Sequence, residues 1–180
     1  MNIKILSFDP SLRNWGVTAA IYNTTSNQLY IKAGKVISSK PDKSKIRQNT
    51  KDLNIAKYLF SELKDVYSQA DLIIAEVPHG SQSARAMVSY GVCIGVLGSL
   101  DSINKPFIQV AASDVKQIVG TVDTSKLEII KWVKRRHPEV LDWMPCNTKA
   151  EHICDAIVAI YAAIQTKQFK EFINEINTKH

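Results

Sequence analysis

Apolar residues recur along this chain with two periods, and each change of period marks a boundary between elements. "IKILSF" is nearly continuous and apolar up to Asp9, which predicts a buried strand, and "DPSLRN" behind it carries turn chemistry in Pro10 and Asn14. "WGVTAAIYN" and "QLYIKAGKVIS" predict two further strands joined by the polar "TTSN" hairpin loop, which makes a three-stranded antiparallel meander. The period then lengthens. Leu53, Ala56, Leu59, Phe60, Leu63 and Val66 recur at helical spacing, predicting an amphipathic helix over 51–68 that packs on the sheet. "DLIIAEV" is a short apolar run of the kind found in strands covered on both faces.

Beyond the turn "PHGS" the pattern predicts a long helix over 83–100, a strand "FIQVAA", and Ser113 placed to cap a short helix. Another helix is predicted over 125–136. "TKAE", Thr148 to Glu151, fits a capping box, with the threonine hydroxyl and the glutamate satisfying each other's backbone N–H groups, so Glu151 has a structural role in this reading. Ile153, Ile157, Ile160 and Ile164 then form a stripe for the core, and "KQFKEFINEI" predicts a last short amphipathic helix. The order βββαβαβα describes an α/β domain with a mixed, largely covered sheet, and 180 residues suit a single domain over 1–180.

Composition adds a partner class. The net charge is +6 and the pI about 9.2, with lysines and arginines gathered in "SSKPDKSKIRQNTK" and "SKLEIIKWVKRRHP". In the second segment Lys131, Lys134 and Arg135 share one helical face, while Leu127, Ile130 and Val133 point elsewhere. Two basic segments in a small chain point to a polyanion and to phosphate contacts. The longest uncharged run, "AMVSYGVCIGVLGSL", is shorter than the roughly 20 residues of a membrane span, and no signal-peptide pattern flanks it; a cytoplasmic protein is expected. Cys93, Cys146 and Cys154 form no CxxC pair, and His152 and Cys154 would point to different helix faces, so buried thiols are expected rather than a zinc site.

Asp9 and Glu76 each end an apolar run, "ILSFD" and "LIIAE". Alone, either acid reads as the start of a solvated loop. On adjacent strands, roughly 5 Å apart, two carboxylates at one sheet edge repel unless a cation lies between them, and magnesium prefers oxygen ligands. His152 and Asp155, spaced i, i+3, share one helix face and alone read as a packed pair. Brought together, Asp9, Glu76, His152 and Asp155 would form a ligand cluster suited to two-metal phosphoryl chemistry.

Motifs in sequence point the same way. "ILSFDPSLRNWGVTAA", "IIAEVPHG", "SYGVCIGVL", "DVKQIVGTVDTSKLEIIKWV" and "AEHICDAIVAIYAA" resemble, in order and over about residues 3–165, the successive motifs of the RuvC-type Holliday junction resolvases. The resemblance implies a ribonuclease-H-like fold with a mixed five-stranded sheet, three antiparallel strands and then two parallel ones, flanked by helices. It also implies a homodimer and a structure-selective endonuclease that resolves four-way DNA junctions with divalent metal. By the same resemblance Asp9, Glu76 and Asp155 match the acidic ligands, His152 takes a position where many members carry aspartate, and Lys116 and Lys126 match basic positions near the scissile phosphate. Mg²⁺ is the implied cofactor, and an imidazole ligand favours substitution by Mn²⁺. Arg13, His79, Arg85, Lys116, Lys126, Lys131, Lys134 and Arg135 are the expected DNA contacts.

His79 stands where the family often has an aromatic residue, beside the stiffening Pro78. Gly91 and Gly95 permit close helix approach, either to a partner subunit or to the sheet. The compact length suits a phage-type member, which would act in the host-cell cytoplasm; a helicase partner is not legible. Two functional alternatives stay open: a nuclease for flaps or forks, and a junction-binding protein that does not cut. An actin-like ATPase is disfavoured because "DPSLRNWG" lacks the early glycines of a phosphate cradle.

Overall fold

A computed structural model describes residues 1–40, 44–78, 80–101, 104–145 and 149–178. Strands β1 (Asn2–Asp9), β2 (Asn14–Asn23) and β3 (Gln28–Ser38) form the meander, helix α1 (Gln48–Ser68) follows, and then come β4 (Leu72–Glu76), α2 (Ala84–Asp101) and β5 (Phe107–Val110). The chain continues through α3 (Ala112–Val119), α4 (Lys126–Arg136), a 3-10 helix at Pro138–Asp142, α5 (Ala150–Gln165) and α6 (Lys167–Thr178). One five-stranded sheet has the order β3-β2-β1-β4-β5, antiparallel across β3, β2 and β1 and parallel from β1 to β4 to β5. The sheet agrees with the expected architecture.

The sheet separates two cores. On one face Ile3, Ile5, Leu72 and Ile74 pack with α5, while on the other Leu6, Phe8, Trp15 and Ile73 pack with α1 and α2. Phe8 anchors the second core, edge-on to Trp15 at 6.0 Å and stacked on Tyr67 at 6.3 Å. Each large aromatic removes roughly 150–250 Å² from water, which explains why a plain apolar strand can hold two helices.

Helix α5 is more deeply placed than an isoleucine stripe predicts. Cys154, Ala156, Val158, Ala159, Ala162 and Ala163 are buried along with Ile153, Ile157 and Ile160, so the helix is apolar around its circumference, as a central helix must be. The capping box expected at its start rests on a residue that is not described. The helix begins at Ala150 behind Lys149, which makes no side-chain cap bond; Thr148 lies outside the described residues. A capping box closes the start of α4, where the Ser125 N–H donates to Glu128 Oε2 at 2.7 Å and Ser125 Oγ accepts from the Glu128 N–H.

Three further expectations are corrected. The buried stripe of α1 is Asp52, Ile55, Leu59, Leu63 and Tyr67, while Leu53 is 54% exposed and Phe60 36%. The helix is turned because the Asp52 carboxylate is satisfied inside, accepting from both terminal nitrogens of Arg85 and from Gln48. In α4 Ile129 and Val133 are buried, and Leu127 lies on the exposed surface. Ser113 falls inside α3, whose first turn is closed by Asp114 accepting from the Ala111 N–H at 3.0 Å. Cys93 and Cys154 are buried free thiols, and Cys146 lies outside the described residues.

Candidate metal centre and nucleic-acid surface

Because β1 and β4 are parallel neighbours, their C-terminal ends meet at one edge of the sheet, and these ends carry Asp9 and Glu76. The N-terminal turn of α5 crosses the same edge and brings His152 and Asp155. Two small features of β2 let it come so close. Gly16, paired with Asp9, lies under the His152 backbone, where a Cβ would stand 2.1 Å from the His152 carbonyl oxygen. Two residues on, the buried Thr18 hydroxyl donates to the Ile153 carbonyl at 3.3 Å and ties the helix tip to the strand. His152 Nδ1 then lies 2.6 Å from Asp9 Oδ2, with both side chains about 15% exposed.

These acids repel one another where little water can screen them. Burial first, and then the Asp9 charge, push Glu76 up to about 7, with Lys116 pulling the other way. Burial, Asp9 and Glu76 push Asp155 up to about 8, opposed by Lys126 and His152. The bond to Asp9 raises the His152 imidazole, and its burial offsets that in part. All three shifts record negative charge crowded into a confined place, which a hard divalent cation with oxygen ligands would relieve. The donor set therefore fits such an ion, although among the described residues no three His, Cys, Asp or Glu side chains already stand as a finished cage. When His152 donates from Nδ1–H to Asp9, its Nε2 lone pair is the one left for a metal, a common carboxylate–imidazole arrangement.

No family model matches the chain, and no curated protein matches it in sequence. Solved structures match its course closely. Thermus thermophilus RuvC in complex with a Holliday junction substrate superposes with a TM-score of 0.68 at 15% identity, covering 90% of this chain and 96% of that one. The yeast mitochondrial Holliday junction resolvase Ydc2 gives 0.66 at 13% identity over 98% of this chain and 86% of its own. The fowlpox virus Holliday junction resolvase gives 0.56 at 16% identity over 92% and 98%. This is the RuvC-type resolvase fold.

On this RuvC-type fold the expected basic residues fall into distinct groups. Lys116, in α3, is near enough to Glu76 to lower its pKa, and Lys126, at the start of α4, does the same for Asp155. Lys126 Nζ is also paired with Glu151 Oε1 at 2.8 Å, and that carboxylate lies 3.6 Å from His152 Nε2. Glu151 thus serves as a counter-ion at the mouth of the site. Lys131 and Arg135 are exposed on α4, Lys134 partly so, and Arg13 is exposed in the β1–β2 turn. Arg85 is committed to Asp52 by two hydrogen bonds and is 45% exposed. His79 lies outside the described residues. Sequence reasoning missed Thr18 and the Glu151–Lys126 pair; Gly16 was legible in "NWGVT", but only the strand register shows what passes over it.

Proposed function

We propose that this protein is a divalent-metal-dependent endodeoxyribonuclease that resolves four-way DNA junctions as a homodimer. The observation that carries the reading is the convergence of Asp9, Glu76 and Asp155, with His152, at one sheet edge flanked by Lys116 and Lys126. A protein that only bound DNA would have no use for mutually repelling carboxylates beside a polyanion. Asp9, Glu76 and Asp155 would hold the ions, with His152 adding Nε2. Mg²⁺ is the proposed ion and Mn²⁺ a substitute. Bound divalent ions in such sites activate water at neutral pH and stabilise the departing 3′ oxygen.

The protein's own groups do the rest. Asp9 orients the His152 ring through the 2.6 Å bond. Lys116 and Lys126 place positive charge where the phosphate gains negative charge, and Lys126 must leave Glu151 to do so. Lys131, Lys134 and Arg135 extend this charge along α4 as phosphate contacts that set register rather than read sequence. A duplicated site is supported by α2, which exposes Met87, Val88, Gly91, Ile94, Gly95 and Gly98 along one side. A Cβ added at any of these three glycines meets nothing within 4 Å, so they face away from the sheet and leave room for a second backbone.

Asp9→Asn with a synthetic four-way junction, a fork, a flap and a linear duplex tests the proposal. Cleavage of the junction with Mg²⁺ or Mn²⁺, abolished by the substitution while binding is retained, is the expected result. Undiminished cutting by the variant would refute the metal role, and equal cutting of all substrates would refute junction selectivity.

A further inference from the structure

On the α1 side of the sheet lies a groove of 470 Å³ that the packed core does not fill, within the range of small-ligand sites. The strand register fixes what faces it. Leu6, Val17, Ala19, Ile21 and Ala33 alternate with the residues that pack under α5, so their side chains share the opposite face and make the floor. Val66 and Ala70, at and just beyond the end of α1, make one wall. The core thins toward β3 on this side: Leu6 and Val17 are buried, Ala19 and Ile21 are half-buried, and Ala33 is exposed. Two alanines in mid-floor leave a hollow that larger side chains would close.

Three lysines surround this apolar floor. Lys4 is level with Ile21 and Lys35 with Val17, which puts both on the groove's face. Lys32 is the extra residue of a β-bulge, since Ala19 pairs with Ala33 and Ala20 with Ile31. Its ammonium lies 5.5 Å from the ring centre of Tyr30, which is itself level with Ile21, so Lys32 reaches over the same face. Among the described residues none of the three ammonium groups is paired with a carboxylate, and no acid lines the groove. Asp71, next to Ala70, accepts from the Lys4 backbone N–H at 2.8 Å. Unpaired positive charge around an apolar floor complements an anionic head on an apolar tail.

We propose that this groove is a binding site for a long-chain carboxylate. The head would be held among Lys4, Lys32 and Lys35, and the chain would lie over Ala19 and Ala33 against Val66 and Ala70. The floor favours a hydrocarbon tail over a nucleic acid, because its side chains carry no hydrogen-bonding group to meet a base. Each methylene fully removed from water strengthens binding about fourfold. Nothing in this assignment depends on the nuclease reading, since no lining residue belongs to the acidic cluster.

Calorimetric titration of the full chain with dissolved dodecanoate, below its micelle concentration, tests the site, with backbone amide shifts to locate it. The expected result is saturable binding with Kd below about 100 μM and shifts at residues 4–6, 17–21, 32–35 and 66–70. Octanoate and dodecyltrimethylammonium should each bind at least tenfold more weakly, the first for want of tail and the second for its charge. Lys32→Glu combined with Lys35→Glu should cost at least tenfold, and so should Ala33→Phe, which fills the hollow at an exposed strand position and supplies the test should the charge variant fail to fold. No saturation, shifts confined to the exposed side of α2, or equal binding of the cationic amphiphile would overturn the proposal. So would tighter binding of a single-stranded oligonucleotide at the same amides, or binding to phosphatidylglycerol vesicles without binding to dissolved dodecanoate.

Discussion

Replacing Gly16 by alanine adds a single methyl group, at the tightest point described between the sheet and α5. The new Cβ would lie 2.1 Å from the His152 carbonyl oxygen and 2.6 Å from its carbonyl carbon, about 1.3 Å inside ordinary contact with the oxygen. These are backbone atoms of a helix buried around its circumference, so no side-chain rotation relieves the clash and the tip of α5 must lift. Overpacking of this kind costs about 1–3 kcal/mol, which for a domain of this size lowers Tm by about 2–4 °C per kcal/mol. The functional loss should be larger. A lift of this size stretches the 2.6 Å His152–Asp9 bond beyond hydrogen-bonding range and carries Asp155 with it. A misplacement of about 1 Å in a catalytic constellation costs on the order of 10²-fold in rate. Single-turnover cleavage of a four-way junction, measured beside thermal melting and junction affinity, should show a slow but folded variant that still binds DNA. Gly16→Ala with wild-type melting and wild-type cleavage would refute the described seating of α5 on β2.

Two further outcomes follow from the charges. Glu76 and Asp155, raised to about 7 and about 8, keep their protons in the folded chain to higher pH than in the unfolded one, and the raised His152 acts in the same sense. Metal-free protein should therefore lose stability as pH climbs from about 4 to 8, and Mg²⁺ should restore it; a Tm in EDTA that is flat between pH 5 and 8.5 refutes this. Glu151→Gln releases a partly exposed ion pair, so stability should change by less than about 1 kcal/mol, while the freed Lys126 should steepen the salt dependence of junction binding by about one phosphate contact. A tenfold or greater loss of cleavage in Glu151→Gln would instead make Glu151 a metal ligand.

What was legible in the sequence depended on whether a signal was local. β1, β4 and the core of α5 show as apolar or nearly apolar runs, and the acids at their ends are conspicuous because the runs stop there. The face of α1 was misread because its buried stripe contains Asp52, which no hydrophobic pattern marks; the partner that makes its burial tolerable, Arg85, lies 33 residues away. "SKLE" forms a capping box at the start of α4, and the Glu of "TKAE" is paired with a lysine from another helix, a contact that no local pattern marks. The parallel pairing of β1 with β4, which brings Asp9 and Glu76 to one edge, rests on a long-range register that residue spacing alone does not give.

The separation of the interior into two cores has a consequence for how such a protein can change. The α5 face carries the helix that brings His152 and Asp155 to the sheet edge, and the α1 and α2 face carries the helix with the glycine-lined surface, with the sheet as a party wall between two tenants. Repacking one side leaves the lining of the other intact, so the glycine-lined surface and the acidic cluster can be tuned apart. One short link runs along the chain itself, since the strand that ends in Glu76 is followed, eight residues on, by the helix that carries the exposed glycines.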